Sequence, residues 1–469
     1  MRSSARHQRG RTPAGTRPNM VKTHVEESLG ANPGDAALNP ADPVAMGVPA
    51  IAPGFLGSSQ GRAFRALSHH PYRLLFAAFI VNQTGFWISH MGLQGLMVEL
   101  SHNEPVWLGL LFFALFIPAF ALAPLAGIAA DRFDRKRIML TSYGSVAALT
   151  AALAVLTAAG WITPLSVLAL GLGLGTSFAF AGPASFALAA NTVPAADMAS
   201  AVSLQSAANN LTRVVGPIAA APFVANHHFE WAFTCFMVAA LVAAALISMM
   251  RVQHYEAEFE DGGIFARLAV GFAHARERRP ALPALAMVAM LSLFGVSHSV
   301  ILPVFAEKML GGVHYFTWMI VATGAGAMLG ALAIGYRSQQ TSMQGAAVLM
   351  LGYSAAMAGF AFTHVLVYAL LAQFVIGWTY FAVMTSLQTL IQSIVDESKR
   401  GRVMSLFQVC WAGLIPWGGL AMGKSAAELG VSTTLGAGAG ICGAYALGVW
   451  LWARRALPAE LPASESGLY

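Results

Sequence analysis

The chain has 469 residues, 57% of them hydrophobic and only 10% charged, against about 25% charged in an ordinary soluble domain. A soluble fold of this length could not hide so much apolar surface, so the bilayer is its solvent. The formal net charge of +6 comes without a basic face interleaved with stacking aromatics, which excludes a nucleic-acid binder.

In chain order, residues 1–65 are rich in Gly, Pro, Ala, Ser and Arg and show no apolar periodicity. Such a segment cannot bury enough surface to offset its ordering entropy, and it reads as a disordered cytoplasmic tail. It has no apolar signal core. Its first 18 residues are Arg-rich and acid-free, as in a transit peptide, but a solvated basic tail, or a start at Met20, is the simpler reading. Twelve apolar stretches follow, at 74–98, 107–129, 137–159, 164–189, 201–225, 231–250, 283–305, 315–336, 343–364, 366–392, 404–425 and 434–453. Each approaches or exceeds the roughly 20 residues that cross a hydrocarbon core. The expected fold is an all-α integral membrane protein of twelve transmembrane helices.

Basic residues set orientation. Arg62, Arg65 and Arg73 precede span 1, four basic residues lie between spans 2 and 3, and five Arg lie between spans 6 and 7. Arg337, Lys399, Arg400, Arg402, Arg454 and Arg455 continue the series on the same side. Both termini are therefore expected in the cytoplasm, in an inner or plasma membrane. Residues 253–282 form a cytoplasmic central loop in which GGIFARLAVGFAHARERRP predicts an amphipathic helix on the inner leaflet. Cys235, Cys410 and Cys442 are isolated small hydrophobes.

The chain repeats. NTVPAADMASAVSLQSAANNLTRVVGP matches QSIVDESKRGRVMSLFQVCWAGLIPWGG at one offset, pairing Val193 with Val395, Ser203-Leu204 with Ser405-Leu406, and Gly216 with Gly418. Pro71 and Pro280 open the first span of each half. Residues 66–252 and 283–456 thus form two six-helix halves, followed by a cytoplasmic tail at 457–469. Parallel repeats of this kind describe the major facilitator architecture, with the substrate site near the midplane between the halves.

The end of span 2 reads Gly127-Ile-Ala-Ala-Asp131-Arg132-Phe-Asp-Arg135-Lys136-Arg137, which resembles the signature loop of the major facilitator superfamily. Gly127 would permit close helix approach. Asp131 would face the positive end of a neighbouring helix, and the basic residues, with Arg400 and Arg402 in the second half, would pair with acids on facing ends. Together they would latch a cytoplasmic gate. Span 5 carries Arg213-Val-Val-Gly216-Pro217, which resembles the superfamily's antiporter motif in part, with Thr212 and Ala219-Ala220 where glycines are expected. Gly216 and Pro217 would bend the helix. An Arg at a helix centre costs about 2.5–3.5 kcal/mol on insertion scales, so Arg213 is expected to face a cavity or a partner.

The order of these motifs, with HPYRLLFAAFIVNQTGFWIS in span 1, SVILPVFAEKML in span 7 and RGRVMS opening span 11, is similar to the transmembrane secretion effector branch of the superfamily, over about residues 64–456. That resemblance implies proton-driven export of a bulky amphipathic small molecule, such as a siderophore or macrolide, by a rocking-bundle monomer. An importer of a small organic solute, or a non-transporting sensor, are the alternatives on the same fold. No metal-ligand cluster, nucleophile elbow or ATP loop is present, so neither an enzyme nor a cofactor is expected. The spans contain no mid-membrane Asp or Glu, which leaves His90 and His298 as the candidates for proton coupling. The candidate substrate lining is polar and aromatic: Asn82, Gln83 and Trp87 in span 1, Gln205, Asn209, Asn210 and Arg213 in span 5, Gln373, Trp378 and Tyr380 in span 10, and Gln408 in span 11.

Overall fold

The computed structural model describes residues 64–251, 264–278, 280–336 and 342–456; the expected amino-terminal tail up to residue 63 and the tail from 457 lie outside them. Every regular element among the described residues is helical. Among the described residues, nine helices are long and apolar enough to cross a membrane, and Pro105–Ala121 and Tyr315–Gly330 are shorter apolar helices. Span 5, Met198–Ala225, has 28 residues but is less apolar, because Gln205, Asn209, Asn210 and Arg213 interrupt it. With these, twelve crossings account for the bundle.

Local chemistry sets the helix starts. Pro71, Pro105 and Pro164 occupy first-turn positions, where the missing N–H is no loss. Asp134 caps span 3, Arg135–Ala158, by accepting from the backbone N–H groups of Lys136 (2.8 Å) and Arg137 (3.3 Å). Three spans are not continuous α-helices. Span 2 breaks at Leu122, between Pro118 and Pro124. Span 7 runs Ala281–Met290, widens to a π turn over Leu291–Gly295, tightens to a 3₁₀ segment over Val296–Ile301, and resumes as Leu302–Leu310. Span 11 has a π turn over Val409–Gly413 before Ile415–Leu429. Pro303 and Pro416 follow these two breaks within a few residues, and each removes a backbone donor.

The packing repeats between the halves. Span 3 lies on spans 4 and 6, and span 9 on spans 10 and 12; span 2 lies on span 4, and span 8 on span 10. The halves join through span 2 on span 11 and span 5 on span 8, two pairs that interchange when the halves are exchanged. The duplication is visible at one atom-scale detail. A β-carbon on Gly216 would collide with the Cβ of Trp87 in span 1. One on Gly418, its partner in the sequence repeat, would collide with Ser297 Oγ and stand 2.7 Å from the carbonyl oxygen of Leu293 in span 7. Each glycine lets the fifth span of its half lie against the first.

The central-loop helix, Ile264–Glu277, does not simply lie on a lipid surface. A β-carbon on Gly271 would be 2.6 Å from the carbonyl oxygen of Arg402, so the helix docks on the first turns of span 11. His274 is buried in that contact.

Candidate functional site

The halves approach most closely toward the end opposite the basic loops. A β-carbon on Gly109 would be 2.9 Å from the carbonyl oxygen of Gly419, and one on Gly423 would be 2.8 Å from that of Pro105. Near the middle, Gly413 meets Phe120, and Gly324 in span 8 meets Val214 and the Arg213 backbone. At the basic-loop end, Ala123–Arg132 packs on spans 3 and 4 and Glu397–Gln408 packs on the central-loop helix, each within its own half. Leu125, Ile128 and Phe133 are exposed there. Among the described residues the close contacts across the seam gather at the loop-poor end and the middle, and the helices at the basic-loop end pack chiefly within their own halves.

Arg213 sits at the middle of this seam. Its guanidinium lies 5.5 Å from the ring centroid of Trp87 in its own half and 5.0 Å from that of Phe381 in the other. Aromatic faces attract a cation by about 0.5–2 kcal/mol, but they leave its charge in place. Among the described residues no carboxylate lies within ion-pair distance of it, and its Nε is buried without a hydrogen-bond partner. Next to Phe381, the Tyr380 hydroxyl accepts a 2.6 Å hydrogen bond from Trp411 Nε1. Gln83 donates to Asn209 Oδ1 at 3.0 Å, tying span 1 to span 5, while Asn82 Oδ1, Trp87 Nε1 and Gln205 Nε2 are buried and unbonded. Asn210 bonds its own helix at Ser206, and Gln408 is buried.

Several expected members lie elsewhere. The Trp378 side chain is partly exposed, and its backbone, not its ring, packs on Gly326 and Gly330 of span 8. Gln373 belongs to another polar group: its Oε1 is 2.9 Å from Thr323 Oγ1 and 3.3 Å from His298 Nε2. His90 lies inside the first half among Phe86, Trp87, Phe112, Phe116 and Phe178, and its Nδ1 has no partner. Phe381 and Thr323 carry no signal that separates them from other apolar-helix residues, and the sequence reading missed both.

The span 2–3 loop acts inside its own half. Arg135 donates to the carbonyl oxygens of Ala130 and Ala187 and to Asn191 Oδ1, each at 3.2 Å. Lys136 donates to the carbonyl oxygens of Ser248 and Met250, both at 2.7 Å. Two cations thus hold the carboxyl ends of spans 2, 4 and 6 together, where helix dipoles favour positive charge. Arg137 is exposed beside Asp134, and Arg132, Arg400 and Arg402 are exposed. The close approach expected at Gly127 is not made: a β-carbon there would meet nothing within 4 Å. Asp131 is on the last turn of its helix, and its side chain lies outside the described residues.

Each half also has a clasp at this end. Asp197, ahead of span 5, is 2.8 Å from His69 and 3.6 Å from Arg65, which precede span 1. Asp396, ahead of span 11, is 2.6 Å from Arg278 and 3.5 Å from His274, which precede span 7. The Arg278 hydrogen bond holds the Asp396 carboxyl below its ordinary value.

Two repeated six-helix halves, joined through spans 2, 5, 8 and 11 around a central polar seam, define a transporter of the major facilitator type, not an enzyme. Within that class the chain belongs to the transmembrane secretion effector family, whose model matches residues 61–465. It is 25% identical to the staphyloferrin A transporter of Staphylococcus aureus over 374 residues, covering 77% of this chain and 91% of that one. It is 26% identical to the uncharacterized MFS-type transporter YfiS of Bacillus subtilis, covering 71% of this chain and 81% of that one. Among solved structures, the nucleoside transporter NupG superposes with a TM-score of 0.62 at 15% identity, over 81% of this chain and 98% of its own. An inward-facing, unoccupied bacterial homologue of the human lysosomal transporter Spinster gives 0.59 at 16% identity, over 85% and 98%.

Proposed function

We propose that this protein is a proton-driven exporter of a bulky amphipathic small molecule, of the siderophore or macrolide kind, working by rocking one half against the other. The observation that carries the reading is the seam: its close contacts gather at the loop-poor end, with Arg213 between Trp87 and Phe381 at its middle. With the basic loops in the cytoplasm, this is a state open to the cytoplasm, the side from which an exporter loads. The named relative, a transporter of staphyloferrin A by its name, supports a small-molecule substrate. Arg213 narrows it, since a cation without a carboxylate partner selects an anionic or acceptor-rich molecule with a flat group to lie on the indole. Asp131 and the cytoplasmic basic residues would latch the opposite state, in which the basic-loop ends meet. A panel of candidate siderophores and macrolides, offered to proteoliposomes with an outward-directed or inward-directed proton gradient, tests the reading. Movement of an anionic compound against its gradient, reversed when the proton gradient is reversed, is the expected result.

A further inference from the structure

His298 lies in the stretch of span 7 where the helix passes from a π turn to a 3₁₀ segment. It is 3% exposed. Both of its ring nitrogens face oxygens: Nδ1 is 2.8 Å from the carbonyl oxygen of Gly295, and Nε2 is 3.3 Å from Gln373 Oε1. A neutral imidazole has one donor and one acceptor nitrogen, whereas the imidazolium has two donors. With the amide oxygen toward the ring, the two acceptors suit the charged imidazole. In this orientation Gln373 Nε2 is buried without a partner, while its Oε1 faces both Thr323 and the ring. Turning the Gln373 amide over produces the complementary state. Its NH₂ then donates to a neutral His298 Nε2 and to Thr323 Oγ1, whose hydroxyl donates to the Met319 carbonyl oxygen at 2.8 Å. The amide carbonyl oxygen then takes the partnerless position that Gln373 Nε2 held, so the two states differ in which form of the ring they accept and not in the number of unpaired atoms. The side chain that distinguishes the two states links spans 7, 8 and 10.

Among the described residues no charged side chain pairs with His298. The elements packed on this segment carry Glu307 and Lys308 on Leu302–Leu310, Lys424 and Glu428 on Ile415–Leu429, and Tyr353, Tyr368 and Tyr380 on spans 9 and 10. Neither Pro105–Ala121 nor the π turn contributes a titratable group. None of these side chains forms an ion pair or hydrogen bond with His298 among the described residues. The neighbouring ring is Phe360, 6.4 Å away. The site also backs the loop-poor end of the seam. Ser297 lies against Gly418 and Val300 against Gly419, and Gly419 with Gly423 forms the contact with span 2. Gln373 is seven residues into span 10, Leu366–Ile394, or about 10 Å from its loop-poor end at 1.5 Å per residue.

We infer that His298 is the proton-binding site of this transporter, and that the Gln373 amide, by turning over as the proton arrives or leaves, passes its state to spans 8 and 10 behind the gate formed by spans 2 and 11. The inference rests on the proton-driven reading for its role in export, but the site itself does not. The proton comes from water on the loop-poor side when that end opens, adds to Nε2, and leaves to water on the other side. No other bond changes.

The test is a histidine ¹⁵N magnetic-resonance titration of the full chain in lipid nanodiscs between pH 5 and 9, with His298→Asn used to assign the signal. One ring that titrates and vanishes in His298→Asn is expected. Gln373→Leu removes an acceptor from the charged ring and should lower its proton affinity about tenfold or more, while Gln373→Glu should raise it by a similar factor. Amide exchange in spans 8 and 10 should differ between the two ends of the titration in the wild type and not in Gln373→Leu. A His298 that binds no proton over this range, or a midpoint indifferent to both Gln373 changes, overturns the inference. If the ring titrates as stated while transport ignores the proton gradient, it is the proton-driven reading that fails, and the binding site stands.

Discussion

The guanidinium of Arg213 lies 5.0 Å from the ring centroid of Phe381, one residue from each half of the molecule. This contact crosses the seam that a rocking transporter must rearrange, and no carboxylate neutralises it among the described residues. The charge partner is therefore sought in the substrate. Arg213→Ala should reduce transport of an anionic substrate about tenfold or more, and of a neutral or cationic one less. Arg213→Lys should recover part of the loss, because a point charge remains without the planar fork. Initial rates in proteoliposomes, normalised to protein, measure this; equal loss for all substrates would make Arg213 a packing residue.

The cations of the span 2–3 loop divide into two kinds. Lys136 fastens the end of span 6 through two carbonyl oxygens, so Lys136→Ala should lower thermal stability by about 1 kcal/mol, seen as an earlier unfolding transition in detergent. Asp131→Asn should leave abundance and stability near normal and slow transport strongly. Normal transport in Asp131→Asn at normal abundance would dispose of the latch.

The Asp396 clasp has a defined pH sign. Arg278 depresses the carboxyl's pKa in the folded state, so the clasp's contribution is present at neutral pH and is lost as pH falls through that depressed value. Hydrogen exchange in Ile264–Glu277 should stay slow from pH 8 to 5 and quicken under more acidic conditions. In Asp396→Asn it should be fast throughout.

The proposed orientation puts both termini in the cytoplasm, so a tag at either end should resist protease added to intact cells, while an epitope between residues 226 and 230 should be accessible. Cleavage of the amino-terminal tag in sealed cells would invert the orientation, and with it the direction assigned to transport.

The spans were legible because crossing a bilayer demands length and apolarity, which any reading frame of about 20 residues reveals. The halves were legible through Gly216 and Gly418, since both glycines answer the same packing need. The breaks in spans 7 and 11 had a signal in Pro303 and Pro416 that pattern alone undervalues, because Pro217 and Pro222 sit inside a continuous helix. The site was half legible. Arg213, Trp87 and Tyr380 announce themselves by polarity or size in an apolar field. Phe381 and Thr323 do not, since their roles come from helix rotation, which hydropathy does not encode. Gln373 was grouped with the substrate lining because an amide in a span looks alike whether it faces a cavity or a histidine. Gly127 shows the reverse case: a family motif supplied the residue, and no neighbour stands within 4 Å of where its β-carbon would be.

Uptake by inside-out membrane vesicles tests the central claim most directly. Vesicles containing the protein would be given a small-molecule extract of the native host, with the vesicle interior made acid, and their contents would be compared by mass spectrometry with those of Arg213→Ala vesicles. The account predicts that an anionic amphipathic compound accumulates in the wild-type vesicles only, and that collapsing the proton gradient abolishes it. Accumulation only in right-side-out vesicles, or accumulation indifferent to the gradient, would contradict it.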